Sequence, residues 1–246
     1  MYFKITVNLV FMKKVLILVS FFICGFSYAQ EVQVVEHNES YKKETTEDFE
    51  FIDDDFDLTD YEKIVVLEGY TTNSGKNTLV SLFNYFWKTA NDYGANAYII
   101  DRVETKSNAT HVQISTYYFD EEDFEANINL YPPNMVYIFG DLDVKKGSVK
   151  NIRLDKEKVA LYPFEYISYK NKVGQYTTVS IGGLLGAKVE LYGKKGMLPV
   201  YLSLNGFSIG SGYGIGEVGL SFNTGSIYPV DMNFGQFLIT ILTEQQ

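Results

Sequence analysis

Histidine and cysteine, the residue types that most often hold metals or carry nucleophilic catalysis, are scarce in this chain. The sequence has two histidines, His37 and His111, and one cysteine, Cys24. A nucleophile–histidine–acid triad would have to use His111, which alternates with Val112 and Ile114 as on one strand of a sheet. Zinc would need several His or Cys ligands. We therefore predict no catalytic residue, no cofactor-binding residue and no metal ligand.

Carboxylates, in contrast, are plentiful, with 31 Asp and Glu residues in the chain. Two carboxylates that face each other across a cleft are enough for glycoside hydrolysis, so a secreted, glycosidase-like hydrolase stays open as the alternative function. The sequence pairs no two of these acids. Asp141 and Asp143 follow a β-rich run and have the positions of ordinary turn residues.

Three alternating aspartates, Asp53, Asp55 and Asp57, have the spacing of a calcium-binding EF-hand loop. That loop needs glycine at its sixth position and glutamate at its twelfth. Leu58 and Ile64 stand there instead. We interpret the aspartates as part of a solvated acidic segment.

A second apparent motif is a glycine-rich turn at residues 69–78, between a strand pattern and a helix pattern. Gly75 and Lys76 resemble the end of a phosphate-binding loop, but the turn's glycines are one residue too far apart. Asn77 replaces the Ser or Thr that would hold magnesium. We predict an ordinary turn with Asn77 as the helix N-cap, and no nucleotide ligand.

A third apparent motif lies at residues 206–219, where Gly214, Gly216 and Gly219 satisfy G-x-G-x-x-G. The dinucleotide fingerprint requires a helix directly after it, and a strand and turn pattern follows here. We interpret the glycines as a place of close packing or a loop. A groove for an extended ligand at this segment stays open.

The front of the chain has the pattern of a secretory signal peptide. Lys13 and Lys14 follow Met12, an apolar run covers residues 15–22, and Ala29 ends a small-residue cleavage pattern. We predict a signal peptide at residues 1–29, with Met12 as its true start. The protein is then exported, to the periplasm, the outer membrane or the outside of the cell, and is not an integral membrane protein after cleavage.

The rest of the chain is strongly acidic. The formal net charge is −10, and it becomes about −13 without the leader, which contains three lysines and no acidic residue. Such a surface repels nucleic acid and anionic lipid, so neither is an expected partner. Residues 30–62 are acidic and poor in large aliphatic side chains, and we predict a flexible segment there.

A βαββ domain is predicted at residues 63–125. A β-branched run at 63–67 precedes a helix pattern at 78–93, whose apolar positions include Leu82, Phe83, Phe86 and Trp87. Gly94 has the place of a left-handed residue after the helix. Two strand patterns follow, at 97–100 and 111–117.

The turn from this helix into the next strand carries a family resemblance. Residues 88–100 run from the helix through Gly94, Ala95 and Asn96 into a strand, and residues 111–119 form a second strand that ends in aromatic residues. This pattern resembles the small βαββ domains of bacterial periplasmic and outer-membrane stress and biofilm proteins. The resemblance implies an envelope location, a binding or structural role, and no catalytic residues.

Short β-rich runs without helical periodicity fill residues 134–246. They are separated by breaks of Gly, Asn, Asp or Lys, and they include runs at 135–139, 149–154, 159–169, 176–181, 187–192, 198–204, 215–222 and 237–242. This rhythm predicts an all-β antiparallel sandwich or small barrel. The whole chain is thus predicted to be α+β, with the βαββ domain followed by the β-rich domain.

Together these features predict a non-catalytic, exported bacterial cell-envelope or secreted protein. Its binding or structural role is expected to use the β-rich domain, and its partner is a protein or a glycan. The aromatic content of 16% suits either kind of contact.

Overall fold

The computed structural model describes residues 32–42, 46–73, 78–106, 109–182, 186–205, 220–223 and 227–245. Three sequence predictions lie outside the described residues: the signal peptide at 1–29, the turn residues 74–77 with Lys76, and the glycine-rich segment 206–219. The described residues from Val32 onward belong to one compact unit.

The first sheet is built mainly from the predicted βαββ region. Its strand order is β1-β3-β5-β4-β2, antiparallel except for the parallel pair β2–β4. The strands are β1 Gln33–His37, β2 Glu50–Phe51, β3 Val65–Thr71, β4 Ala97–Lys106 and β5 Ala109–Tyr117. The predicted order of strand, helix, strand and strand is therefore present.

Helix α1, Leu79–Asp92, lies on this sheet through the predicted apolar face. Leu82, Phe83 and Phe86 are fully buried. A Cβ on Gly69 of β3 would come within 2.4 Å of the Leu82 side chain, so the sheet needs a glycine under the helix. The predicted cap is wrong by one residue, because Thr78 forms the N-cap in a capping box with Ser81.

The turn after α1 has the predicted conformation. Gly94 has φ 83°, the left-handed region that a residue with a side chain rarely adopts.

A short helix, α2 Glu121–Ile128, follows β5, and Asp120 caps it by accepting from the backbone N–H groups of Glu122 and Asp123.

Two more sheets form the second half of the chain. The second sheet, with order β13-β11-β10-β7-β8, is antiparallel, and the third sheet has order β14-β12-β6-β9-β15. Their strands are β6 Met135–Phe139, β7 Lys150–Leu154, β8 Glu157–Leu161, β9 Glu165–Lys170, β10 Tyr176–Ile181, β11 Ala187–Tyr192, β12 Val200–Ser203, β13 Leu220–Asn223, β14 Tyr228–Pro229 and β15 Thr243–Glu244.

The third sheet is a middle layer that is buried on both faces. Val136 and Ile138 of β6 pack into an aliphatic cluster with side chains of the second sheet. Tyr137 and Phe139 alternate with them and belong to the other, aromatic cluster. A strand that is buried on both sides shows a continuous apolar sequence, as here, instead of an alternating one.

The third sheet also departs from the predicted antiparallel pattern. Strand β12 pairs with β6 in parallel, and β15 pairs with β9 in parallel. None of the three sheets formed by the described residues closes on itself. The α+β class is confirmed, while a purely antiparallel β-domain is not found.

The strand predicted at 237–242 is wrong, because most of this run forms helix α3, Met232–Ile241. Phe234, Phe237 and Leu238 are completely buried, and Ile241 is nearly so. Gly235 of the same helix lies so close to the Tyr201 ring that an added Cβ would come within 2.4 Å. A helix with apolar contacts around most of its surface has no polar face, so its sequence lacks the amphipathic period that indicates a helix.

The prediction of a separate flexible segment at 30–62 is corrected for its described residues. Phe49, Phe51 and Ile52 are buried, and β2 pairs with β4. His37, which also belongs to residues 30–62, lies on β1, and its ring centroid is 4.6 Å from that of Tyr93. Large aromatic side chains between acidic residues are enough to bind this segment to the core.

One aromatic cluster joins the helices to the acidic segment. Phe83 of α1 lies 5.5 Å from Phe49 and 5.2 Å from both Phe234 and Phe237 of α3, measured between ring centroids. The cluster thus contains residues from both halves of the chain.

Among the described helices, none is long and apolar enough to cross a bilayer.

Candidate functional site

An acidic cavity of about 710 Å³ lies beside the 46–52 segment. Three parts of the chain form it: residues 46–50 of the acidic segment, the turn before β4, and the connection from β5 into α2. Its lining residues are Thr46, Glu47, Asp48, Glu50, Asn96, Tyr118, Phe119, Asp120, Glu121 and Phe124.

Half of this lining consists of carboxyl side chains, and aromatic rings provide much of the rest. Among the described residues, no Lys, Arg or His lines the acidic cavity. Tyr118 is 37% exposed, whereas Phe119 is buried in the wall. Carboxylates combined with an aromatic face form a suitable environment for a positively charged group.

Asn96 holds two walls of the cavity together. Its side-chain amide donates to the carbonyl oxygen of Phe119 over 2.8 Å and accepts from the N–H of Phe119 over 2.7 Å. Its own carbonyl oxygen accepts from the backbone N–H of Glu50 over 2.8 Å. Asn96 therefore connects the 46–52 segment, through its backbone, to the residues just before α2, through its side chain.

Glu50 is the chemically unusual residue of the site. It is half-buried, and its Oε2 atom has no hydrogen-bond partner among the described residues. Burial, with added repulsion from the carboxylates of Asp48 and Asp231, raises the pKa of Glu50 from 4.5 to about 7. Near neutral pH this carboxyl is therefore present in both its protonated and its ionised form.

Asp231, which lies close enough to affect Glu50, caps helix α3. Its Oδ1 accepts from the backbone N–H groups of Asn233 and Phe234, over 3.0 and 3.1 Å. Burial raises the pKa of Asp231, while these backbone hydrogen bonds act in the opposite direction. Glu50 and Asp231 are therefore two acids in different environments.

The acids that the sequence singled out lie elsewhere and serve turns. Asp53 Oδ1 accepts from the N–H of Asp55, and Asp57 Oδ1 accepts from the N–H and hydroxyl of Thr59. Asp141 Oδ1 likewise accepts from the N–H of Asp143. The structure does not bring these acids together, and the part of the chain that it describes contains no group of three or more potential metal ligands.

His111 belongs to a charged cluster on the outer face of the first sheet. Its Nε2 lies 3.1 Å from Glu68 Oε1, and Arg102 binds the same oxygen over 2.9 Å. The His111 side chain is 32% exposed. The structure therefore pairs His111 with an acid on the sheet surface, away from the acidic cavity.

A smaller cavity of about 560 Å³ lies at the turn between β7 and β8. Asp155, which has φ 54°, occupies this turn and accepts from the N–H of Thr178 and the hydroxyl of Tyr169. Because the carboxylate of Asp155 already accepts these hydrogen bonds, the smaller cavity is a weaker candidate for a binding site than the acidic cavity.

No family model, curated protein or solved structure matches the chain. The resemblance of residues 63–119 to small βαββ envelope domains stays a prediction.

Proposed function

We propose that this chain is a non-catalytic, exported bacterial cell-envelope or secreted protein with a binding or structural role. The basic residues Lys13 and Lys14, the apolar run after them and the cleavage pattern ending at Ala29 support export. N-terminal sequencing of the exported protein is expected to begin near Gln30. Recovery of the intact leader in washed membranes would contradict cleavage near Ala29.

The acidic cavity supports a more specific binding role, namely that it takes a positively charged group of a protein partner. The observation that carries this proposal is the buried, unpartnered Oε2 of Glu50 at a wall shared with four other carboxyl groups. A Lys or Arg side chain in the cavity would supply the missing donor. The same cation would also lie close to the aromatic ring of Tyr118, with which it can form a cation–π interaction.

Binding of a short basic peptide tests this role. Tri-lysine at low ionic strength is expected to bind, and tri-glutamate is not. Glu50→Gln and Glu121→Gln are each expected to weaken tri-lysine binding by about tenfold, or about 1.4 kcal/mol. Isothermal titration calorimetry measures this effect, and added salt should reduce the affinity because the rim charges become screened.

Glu157→Gln is the matched control, because Glu157 is an exposed acid at the β7–β8 turn, beside the smaller cavity. The same change of one charge there is expected to leave the affinity nearly unchanged. An equal loss of tri-lysine affinity in all three variants would show that only the net charge of the protein matters. That result would contradict binding at the acidic cavity.

The β-rich half offers a second contact surface, as the sequence predicts. Tyr176 and Tyr192 are directly opposite on β10 and β11, their ring centroids lie 4.9 Å apart, and Tyr176 is 65% exposed. Exposed aromatic rings of this kind suit a glycan or a protein surface. We also propose that the second and third sheets form a sandwich, since the two share one aliphatic cluster.

The alternative function is a glycosidase-like hydrolase, and one observation favours it. Burial raises the pKa of both Glu50 and the nearby Asp231, and only Asp231 has backbone N–H donors that oppose this rise, so the two acids are not equivalent. Hydrolysis of aryl glycosides by the purified protein, abolished in Glu50→Gln, would establish this activity. No turnover with any such substrate, together with tri-lysine binding, would favour the binding role.

A further inference from the structure

Two neighbouring turns, residues 170–176 and 192–197, form what we call the basic tip of the β-rich half. They connect β9 to β10 and β11 to β12. All four lysines of the basic tip are exposed, and the two turns contain no Asp or Glu: Lys170, Lys172, Lys194 and Lys195. Lys172 and Lys195 form no ion pair with any described residue.

Hydrogen bonds hold the two turns of the basic tip against each other. The N–H of Gly174 donates to the carbonyl oxygen of Gly193 over 2.8 Å, and the N–H of Gly193 donates to the carbonyl oxygen of Gln175 over 3.0 Å. The buried side chain of Asn134 donates to the carbonyl oxygen of Lys194 over 2.7 Å and accepts from its N–H over 3.1 Å. The lysines therefore start from fixed backbone positions, and a ligand would not have to order these turns.

Aromatic and polar side chains continue from the basic tip along the outer face of the second sheet. Tyr176 and Tyr192 lie opposite each other at the start of this face, and Tyr176 is 65% exposed. Side chains alternate between the two faces of a strand, so every second residue of β10 and β11 shares the face of this pair. The residues that follow the pair on this face form a polar row: Thr178, Ser180, Lys188 and Glu190.

The charge around the basic tip is opposite to that of the whole protein. Residues 150–195 contain nine Lys and Arg residues and four Asp and Glu residues, a net charge of +5, whereas the whole chain has −10. At physiological ionic strength exposed charges are screened over about 8 Å, so a ligand at the basic tip responds to the local charge. The net charge of the chain therefore does not exclude an anionic ligand at this surface.

We propose that the basic tip and the Tyr176–Tyr192 pair bind an acidic polysaccharide, a chain of sugar rings that carries carboxylate groups. The apolar C–H faces of sugar rings stack on tyrosine, their hydroxyl groups match the polar row, and their carboxylates match the lysines. The inference rests on the proposed contact surface around Tyr176 and Tyr192 and names the class of its ligand. A lipid surface fits less well, because the polar row beyond the tyrosines could not enter a bilayer.

Isothermal titration calorimetry of the full-length protein with oligogalacturonate, an acidic sugar chain, tests this inference. We expect binding with an affinity that falls as salt is added, because the lysines are exposed. A neutral maltooligosaccharide of equal length lacks the carboxylates, and poly-glutamate lacks the sugar rings. Each is expected to bind at least about tenfold more weakly than oligogalacturonate.

Lys172→Gln/Lys195→Gln removes two exposed charges from the basic tip. Each lysine can form a charge-assisted hydrogen bond to a sugar carboxylate, so the double variant is expected to bind oligogalacturonate about tenfold more weakly. Lys145→Gln/Lys146→Gln is the matched control, because both lysines are exposed and follow β6 at the end away from Lys170. The control should change the affinity by less than about twofold, although the net charge changes equally.

Tyr176→Ala removes an exposed ring, so the fold is expected to be retained. The loss of one stacking contact should weaken oligogalacturonate binding by about three- to tenfold. Tyr162→Ala is its control, since Tyr162 is 49% exposed and follows β8 at the opposite end of the second sheet. We expect Tyr162→Ala to bind as the wild type does.

Four results would overturn the inference: no oligogalacturonate binding by the wild type, equal affinity for poly-glutamate, equal losses in the two double-lysine variants, or tighter binding to phosphatidylglycerol vesicles than to oligogalacturonate. The acidic cavity is tested separately, because tri-lysine binding should be unchanged in Lys172→Gln/Lys195→Gln. Tri-lysine binding without oligogalacturonate binding would therefore contradict this inference alone.

Discussion

Replacing Phe83 by alanine is expected to lower the free energy of unfolding by about 3–5 kcal/mol. Phe83 is 1% exposed and contacts the rings of Phe49, Tyr98, Phe234 and Phe237. Truncation leaves a cavity between four aromatic rings on three elements, and such rings relax only partly into the space. Because whole domains are stable by only about 5–15 kcal/mol, the loss is a large share of the total.

Urea unfolding followed by circular dichroism measures this change as a lower midpoint at a similar slope. Tyr85→Ala is the matched control, since Tyr85 lies on the same helix and is 47% exposed. We expect Tyr85→Ala to shift the free energy by no more than about 0.5 kcal/mol. Equal, small effects of the two substitutions would mean that α1 packs through a different face.

Trp87 illustrates how far the helical pattern determines packing. The sequence places Trp87 on the buried face with Leu82, Phe83 and Phe86. The last three are buried, but Trp87 is half-buried and uses its indole N–H on Glu47. Periodicity identifies the face of a helix, while the edge of that face depends on which segment covers it.

The sequence predicts α1, β4 and β5 well, because their patterns are local. An amphipathic period, a glycine with positive φ at Gly94 and an apolar alternation each act within a few residues. Helix α3 is missed for the opposite reason. It is enclosed by the first and third sheets, so its pattern depends on contacts with residues far away in the chain, such as Tyr201.

The acidic cavity could not be predicted from the sequence, since it combines residues about 70 positions apart. The aspartates at 53–57 have the spacing of a known motif, whereas Glu50 belongs to no motif. The available signal was the alternation of Phe49 and Phe51 around Glu50, which indicates a short strand with a carboxylate on its other side. The acidic composition of residues 30–62 instead favours a flexible segment, which hides this short strand.

Buried asparagines are the other feature that sequence patterns do not show. Asn96 and Asn127 are both almost completely inaccessible, and each uses its amide to satisfy the backbone of a segment that is distant in sequence. An asparagine side chain carries both a donor and an acceptor, as a peptide group does, so it can replace a strand partner. This pairing depends on the tertiary fold and leaves no local signature.

Asn127→Ala is expected to destabilise the protein by about 2–4 kcal/mol. Asn127 Nδ2 donates to the carbonyl oxygen of Phe51 over 2.8 Å, and its Oδ1 accepts from the N–H of Asp53 over 2.8 Å. Alanine removes both partners and leaves the Asp53 N–H without its acceptor, which costs more than the net value of a hydrogen bond. The carbonyl of Phe51 retains the hydroxyl of Tyr131, which donates to it over 2.5 Å, so the loss is smaller than for two orphaned groups.

Asn129→Ala tests whether this effect belongs to the two hydrogen bonds that Asn127 makes with Phe51 and Asp53. Asn129 lies at the C-terminal end of the same helix, is exposed, and donates only to the carbonyl of Glu125 within the helix. Thermal unfolding should show a clear loss for Asn127→Ala and almost none for Asn129→Ala. In hydrogen exchange, we expect the N–H groups of residues 51–53 to lose more protection in Asn127→Ala than the N–H groups of the other strands. Uniform loss across all strands would mean that Asn127 supports the whole core, and that residues 46–53 do not open as a separate unit.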